Sequence, residues 1–378
     1  NQKRNGWLDK LEVWRSIDLG KAEPLMAQTF YEAVGYLVDA GLSPNTIILC
    51  QPSAPYVCIG FHQRLEDEID VEYCHSRGFP IIRRSQGGGA TYLDGNQVFY
   101  QVVARKESKV VPLKIEKIFE RFLAVTVFVY RRLGLAAEFR ALNDVVVHGR
   151  KISGNGAGDF GENTMILVGN IIMDLDYESM IRILKVPSEK FRDKTAKSIH
   201  EWVTSLKREL GYLPETELIK NLLTEGYEKV LGIELVPSQP SEDEKAVWRD
   251  RVRPRHISEE WIHLSDLTDK RPTADRSVKI AADVKIVEVT HRAKKLIRIS
   301  AQILGDKILD ISITGDFFLT PVDAVSKIES SLRNVLLSHD RILRTIRDCF
   351  EDEEIQSPGI NPEDFAEAVM KLKELAET

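Results

Sequence analysis

The chain has 378 residues, 43% of them hydrophobic and 29% charged, and a formal net charge of −6. That length and apolar content suit two folded cores rather than a disordered chain, and the acidic balance argues against a general nucleic-acid binder. Four scattered cysteines, no apolar run long enough to span a bilayer and no leader-type segment after Asn1-Gln2-Lys3-Arg4 point to a reducing, cytoplasmic setting away from membranes. The first residue is Asn rather than Met, which suggests a trimmed N-terminus.

Asp9 to Ile17 shows no single period. Pro24 to Ala40 then reads as a helix, with Leu25, Phe30, Val34 and Leu37 on one face and Gly41 as its stop. Thr46 to Cys50 and Tyr56 to Gly60 are short buried strands, and Val71 to Arg77 is a short helix closed by Gly78. In residues 83–103, Arg83 and Arg84 end one strand, Gly87-Gly88-Gly89 turns the chain, and Val98, Phe99, Tyr100, Val102 and Val103 carry it away as another. Glycines let a ligand lie against bare backbone amides, and arginine beside them suits phosphate or carboxylate. By itself the stretch is equally well a tight turn with two solvated arginines. No Gly-Lys-Ser/Thr follows and the dinucleotide spacing is missing, so neither common nucleotide fingerprint is present.

Pro112 to Leu133 is a long helix whose apolar face includes Ile115, Ile118, Phe119, Phe122 and Leu123, with Thr126 as its one polar member. Ala137 to Ala141 is a strand leading into a hairpin: Val145 to Val147, a turn at His148-Gly149, then Lys151 to Ser153. Ile166 to Leu175 is another strand, and Tyr177 to Leu184, Ser198 to Leu210 and Glu215 to Leu231 are helical. Helices among antiparallel pairs make the class α+β. From Pro237 to Ser258 the composition turns polar, marking a linker or connecting helix. Ala282 to Val289, Lys295 to Ile303 and Lys307 to Thr314 alternate as strands, and Gly315-Asp316-Phe317-Phe318 closes the last. Helices follow at Pro321 to Leu337 and Arg341 to Phe350, and Asn361-Pro362-Glu363-Asp364 starts a third. The expected division is a catalytic domain at 1–245, a linker at 246–258 and a smaller α+β domain at 259–378.

A second constellation is Asn143, Asp144, Lys151 and Gly154. A lysine in a β-branched hairpin can reach into a cleft as a point charge, though a lone lysine is more often a surface residue. Asp144 suits either Mg²⁺ beside phosphates or an Asx-turn before the strand. His62, His75, His148 and His200 have no metal-ligand spacing, and no cysteine has a compelling basic partner.

Taken in order, Arg83-Arg84 with Gly87-Gly88-Gly89-Ala90-Thr91-Tyr92, then Asn143-Asp144, then Gly149-Arg150-Lys151-Ile152-Ser153-Gly154 resemble the lipoate–protein ligase A family. Val57 to Gln63, Pro187 to Leu206 and residues 279–340 extend the resemblance over most of the chain. It implies a biotin/lipoyl-ligase-like mixed-sheet catalytic domain with helices, plus an accessory C-terminal domain. It also implies two half-reactions. Lipoate and ATP-Mg²⁺ give lipoyl-AMP, and the acyl group then passes to a lysine of an apo lipoyl domain or H-protein-like acceptor. On this resemblance Lys151 is catalytic; Arg84, Gly88, Gly89, Ala90, Thr91, Tyr92, Asn143, Asp144, Lys151 and Gly154 hold nucleotide and adenylate; and Asp144 takes part in Mg²⁺ binding. Phe61, Tyr92 and Phe99 are candidates for the slot holding the acyl tail.

The chain departs from the family pattern at Leu93, where His is usual, at Gly154-Asn155-Gly156-Ala157, which carries no Gln, and at Val168-Gly169 in place of His-Gly. These departures bear on acyl and acceptor specificity. Octanoyltransferases of the same fold place a cysteine shortly before the Asn-Asp stretch; here Glu138 to Leu142 contains none. The alternatives are an octanoyl or lipoyl transferase of this fold, or a non-catalytic protein that binds lipoate or a lipoyl domain.

Overall fold

The structure is a computed structural model and describes residues 11–140, 142–185, 189–264, 276–279 and 284–376. Its centre is a six-stranded mixed sheet. The contributing strands are β1 (Glu12–Ala22), β2 (Thr46–Pro52), β6 (Gln97–Arg105), β10 (Asn155–Phe160), β11 (Thr164–Ile172) and β12 (Ile233–Ser238). Their order is β10-β11-β6-β2-β1-β12, with β1 parallel to β2 and β12 and the other neighbours antiparallel. Two smaller sheets flank it. One is β4-β3-β5, from β3 (Tyr56–Ile59), β4 (Ile81–Arg83) and β5 (Thr91–Leu93); the other is β7-β8-β9, from β7 (Ala137–Arg140), β8 (Asp144–Val147) and β9 (Arg150–Ser153).

The central sheet is covered on both faces, which is why β2 is buried along its whole length. Alternation sends Ile47 and Leu49 to one side and Ile48 to the other. Ile47 and Leu49 join the core formed with α4 (Ile115–Arg132) and α8 (Thr216–Leu231), while Ile48 joins α1 (Pro24–Asp39). Pro24 sits in the first turn of α1, where its missing N–H leaves no bond unmade. Short helices α2 (Leu65–Glu68) and α3 (Val71–Ser76) lie between β3 and β4, and α5 (Tyr177–Arg182) follows β11. The expected helix from Ser198 to Leu210 is two: α6 (Glu189–Trp202) and α7 (Leu206–Leu210). The break occurs because Thr204 N donates to Lys151 O (2.8 Å) and the Ser205 side chain caps α7. Pro187 and Ser188 lie outside the described residues.

The polar stretch after β12 is helical: α9 (Glu242–Val247) with a Ser241/Glu244 capping box, a π-helical turn at Trp248–Val252, α10 (Arg253–His256) and α11 (Glu259–Ile262). It packs on α1, and Trp248 Nε1 donates to Thr29 Oγ1 at 3.0 Å.

The C-terminal unit is an antiparallel sheet, β13 (Arg276–Lys279), β14 (Val284–Arg292), β15 (Leu296–Leu304) and β16 (Lys307–Gly315), with α12 (Ala324–Leu332), α13 (His339–Asp352) and α14 (Pro362–Ala376). These share one apolar core, separate from that of the central sheet. Asn361 Oδ1 accepts from Asp364 N and Asp364 Oδ2 accepts from Asn361 N, both at 2.9 Å, which gives the reciprocal cap that the Asn-Pro-Glu-Asp start implies. Among the described residues no helix is long and apolar enough to cross a membrane.

A candidate active site between the two units

The C-terminal unit seats on the glycine loop. Gly315 N donates to His62 O at 3.0 Å, Gly88 N to Phe317 O at 3.3 Å, and Thr320 Oγ1 to Asp159 Oδ2 at 2.5 Å. Gln356 Oε1 accepts from Ile115 N at 2.8 Å, so this unit caps the first turn of α4. Arg298 pairs with Glu68. The Phe317 ring stacks on buried His62 at 5.1 Å, and Phe318 packs edge-on against Phe119 at 5.8 Å. Gly87 and Gly88 make this approach possible: a Cβ on Gly87 would collide with Phe317 O, and one on Gly88 would come within 2.9 Å of the Phe318 ring. Gly88 also has φ +97°, open to glycine at little strain.

The two adjacent arginines have opposite fates. Arg83 is fully buried, and its guanidinium donates to the carbonyls of Phe61 (2.8 Å), Gln63 (2.6 Å), Trp261 (2.9 Å) and Ile262 (2.7 Å). It is a structural tie, not a solvated or ligand-facing group. Arg84 points the other way: its Nη2 donates to Gly87 O (2.8 Å) and Gly89 O (2.9 Å), and the side chain borders a cavity of about 270 Å³. Below the loop, Ser85 Oγ donates to the buried Glu32 carboxylate at 2.5 Å, and Tyr31 OH donates to Gln86 Oε1 at 2.6 Å. Burial would raise the Glu32 carboxyl, but contacts with His256, Arg255 and Ser85 outweigh it and hold it below the usual range.

Gly88, Gly89, Ala90, Thr91 and Tyr92 line the same cavity as Arg84. Asn143, Lys151 and Gly154 form the facing wall. Lys151 Nζ lies 2.8 Å from Asp144 Oδ1, with both side chains about one-third exposed. The contact is an ion pair whose angles fall outside hydrogen-bond alignment. Asp144 stands beside the cavity rather than on its lining. Among the described residues no group of three His, Cys, Asp or Glu side chains could hold a metal ion. The donor set therefore does not make a metal site of its own; it fits Mg²⁺ only in the mode where one carboxylate shares the ion with substrate phosphates.

Beneath Lys151 runs a network that explains Thr126, the polar member of an apolar stripe. Thr126 Oγ1 donates to Tyr100 OH at 2.8 Å; Tyr100 OH lies 3.1 Å from Ser153 Oγ and donates to Asn155 Oδ1. Asn155 and Asn143 exchange hydrogen bonds through side chain and main chain, at 2.6 and 3.0 Å. Burial pushes the Tyr100 phenol up to about 12, keeping it a neutral donor. Gly169 is forced by the same network, since a Cβ there would collide with Asn155 and the Tyr100 ring. Asn170 Oδ1 accepts from Gly154 N at 2.8 Å.

The lining also carries an apolar group, with Leu93, Phe99, Ile172, Leu175 and Met180 beside Tyr92. Phe61, a candidate for this slot on sequence, is not part of it; its ring packs on His62 (5.0 Å) and Trp261 (5.7 Å) instead. Sequence reasoning missed Gln101, Asn170, Lys295 and Phe318, all of which line the cavity. Gln101 Nε2 donates to Ala27 O at 2.6 Å, while its Oε1 is buried and unpartnered among the described residues. Its signal was faint: a glutamine in the interior of a strand buried along nearly its whole length. Cys58 also borders the cavity but is fully buried beneath Arg84, and burial raises its thiol even though Arg84 pulls it down.

Residues 23–228 match the lipoyl protein ligase A/B catalytic domain. The chain belongs to that family. Members of the lipoyl protein ligase A/B family include both ligases and octanoyltransferases, and this chain is similar to each kind. It is 26% identical over 273 residues to an octanoyltransferase LipM of Kyrpidia tusciae, covering 66% of this chain and 98% of that protein. Among solved structures, it resembles a bi-partite lipoate protein ligase studied with its E2 lipoyl domain, from Thermoplasma acidophilum. The TM-score is 0.60 at 25% identity, covering 69% of this chain and 99% of that one. A lipoate-protein ligase A bound with ATP shares the fold, with TM-score 0.57 at 21% identity over 67% of this chain and 99% of that one. So does LipL1 of P. falciparum in complex with lipoate, with TM-score 0.64 at 12% identity. That match covers 97% of this chain and 100% of the other, so it extends over the C-terminal unit as well.

Proposed function

We propose that the protein is an ATP-dependent lipoate–protein ligase. A lipoate carboxylate oxygen attacks the α-phosphorus of ATP, the bond to pyrophosphate breaks, and lipoyl-AMP forms. A lysine ε-amine of an apo lipoyl domain or H-protein-like acceptor then attacks the acyl carbon. AMP leaves and the amine proton passes to solvent. The observation that supports the reading is that Arg84 and the glycine-loop backbone border one cavity with Lys151 on the facing wall, and that the same cavity carries the apolar group Leu93, Phe99, Ile172, Leu175 and Met180. Two anions that must react repel each other, and a fixed cation between them removes that repulsion and stabilises charge in the transition state. In this reading Lys151 supplies that cation, and Arg84 and the amides of Gly89 to Thr91 hold phosphate. The Phe99, Ile172 and Met180 wall suits the acyl tail. Asp144, beside the cavity, would help to hold Mg²⁺ arriving with the nucleotide, and the ion would screen the phosphate charge.

Similarity to LipM and the presence of Cys58 at the cavity support a second reading, acyl transfer through a thioester. Against it, no cysteine occurs in Glu138 to Leu142, and Cys58 is buried. The test incubates the protein with ATP-Mg²⁺, lipoate and an apo lipoyl domain, and reads the acceptor by mass. The expected result is a lipoyl adduct that depends on ATP and survives Cys58→Ala within about twofold. An adduct formed only from an octanoylated donor protein, without ATP and lost in Cys58→Ala, would establish the transferase reading instead.

A further inference from the structure

Among the described residues, three cationic side chains line the cavity, Arg84, Lys151 and Lys295, and no carboxylate does. Lys295 comes from the turn between β14 and β15, so the C-terminal unit contributes it across the interface. The turn is fixed: Leu296 N donates to Asp316 Oδ1 at 2.5 Å, Asp316 N to Leu296 O at 3.3 Å, and Ala293 N to Lys295 O at 3.1 Å. The ammonium sits 5.2 Å from the centre of the Phe318 ring, and that ring lies against Gly88. Among the described residues it has no hydrogen-bond acceptor and no carboxylate within ion-pair distance, unlike Lys151 with Asp144. Burial lowers its pKa; Asp316 and Asp144 act in the opposite direction, while Lys151 and Arg84 press it further down. A half-buried cation with no directly paired carboxylate, beside two other cations, gains from an anion that joins it. A lone acyl carboxylate carries one charge, which one cation already answers. A polyphosphate carries enough to engage all three.

Resting on the ligase reading, we propose that Lys295 binds the polyphosphate of the nucleotide in the adenylation step and holds the pyrophosphate as it leaves. Pyrophosphate is gone before transfer, so the second half-reaction does not use this contact.

The experiment compares the wild-type chain with Lys295→Met, which keeps the stem and removes the charge, and Lys295→Arg, which restores it. Three quantities are read: lipoate-dependent ATP–pyrophosphate exchange, acyl transfer from synthetic lipoyl-AMP to an apo lipoyl domain, and calorimetric binding of ATP-Mg²⁺. Lys295→Met is expected to raise the KM for ATP or lower exchange by roughly tenfold or more, the scale for one charged contact. Lys295→Arg should recover most of that loss, transfer from preformed lipoyl-AMP should stay within about twofold, and the melting temperature should hold. Unchanged exchange in Lys295→Met, or equal loss in both half-reactions, overturns the role of Lys295 and leaves the ligase reading standing. A wild-type chain without exchange overturns the ligase reading, whereas weaker ATP binding by Lys295→Met in that same chain would still uphold the polyphosphate site. A wild-type chain that binds no ATP overturns both.

Discussion

The floor of the cavity rests on neutral hydrogen bonds among Tyr100, Thr126, Ser153, Asn143 and Asn155, all buried inside one domain. Its roof, Lys295 and Phe318, belongs to the unit built on a second core and reaches the first through a few polar contacts and two aromatic contacts, one stacked and one edge-on. A buried network in which each donor has an acceptor sets one geometry, because any displacement leaves a polar group unpaired in a low dielectric. A boundary made of separable contacts can be altered with less loss. In the proposed reading the floor fixes the strand end that carries Ser153, two residues from Lys151, and the roof adds a cation from the second unit.

The largest effect expected from breaking this contrast is at the floor's working end. Lys151→Ala should lower adenylation by roughly 10²–10³-fold or more with the melting temperature nearly unchanged, read by pyrophosphate exchange and calorimetry. Near-normal exchange would remove Lys151 from the chemistry. Arg83→Met, behind the glycine loop, should act on the fold instead. Several buried carbonyls lose their charged donor, and destabilisation of about 3 kcal/mol or more is expected in a urea titration. A loss under about 1 kcal/mol would mean that the loop does not depend on this tie.

Tyr100→Phe sharpens the floor itself. It removes one hydroxyl and leaves Thr126 and Asn155 short of a partner, so a loss of about 1–3 kcal/mol is expected together with weaker acyl activation. Full stability combined with full activity would show that the network is not rigid support.

The smallest effect concerns the roof, through His62 beneath Phe317. Burial, with the Arg83 charge, pushes His62 down to about 3. An unfolded histidine takes up a proton near pH 6.5, so below that pH unfolding gains a proton that the folded chain refuses. This contribution is intact above about pH 7 and is lost as pH falls through 6.5 toward 3; at pH 5.5 the loss is about 1.4 kcal/mol. Melting temperatures of wild type and His62→Gln should therefore converge between pH 7.5 and 5.5. Curves that stay parallel would show that His62 accepts its proton in place.

Local pattern alone located much of this molecule. The period of Pro24 to Ala40, the alternation around Lys151 and the Asn361 cap are short-range features, and short-range sterics and hydrogen bonding decide them. The order of glycine loop, Asn-Asp and Lys151 also marked two walls of one cavity, since those residues sit on strands and turns that the pattern itself defines. Tertiary structure decided the rest. Arg83 and Arg84 are neighbours with the same chemistry, yet strand alternation and the packing of Trp261 and Ile262 bury one and leave the other on the cavity. Gln101, Lys295 and Phe318 become site residues only because strands and units distant in sequence meet. Burial, pairing and local charge depend on what surrounds a side chain, and those surroundings exist only once the two cores have been placed against each other.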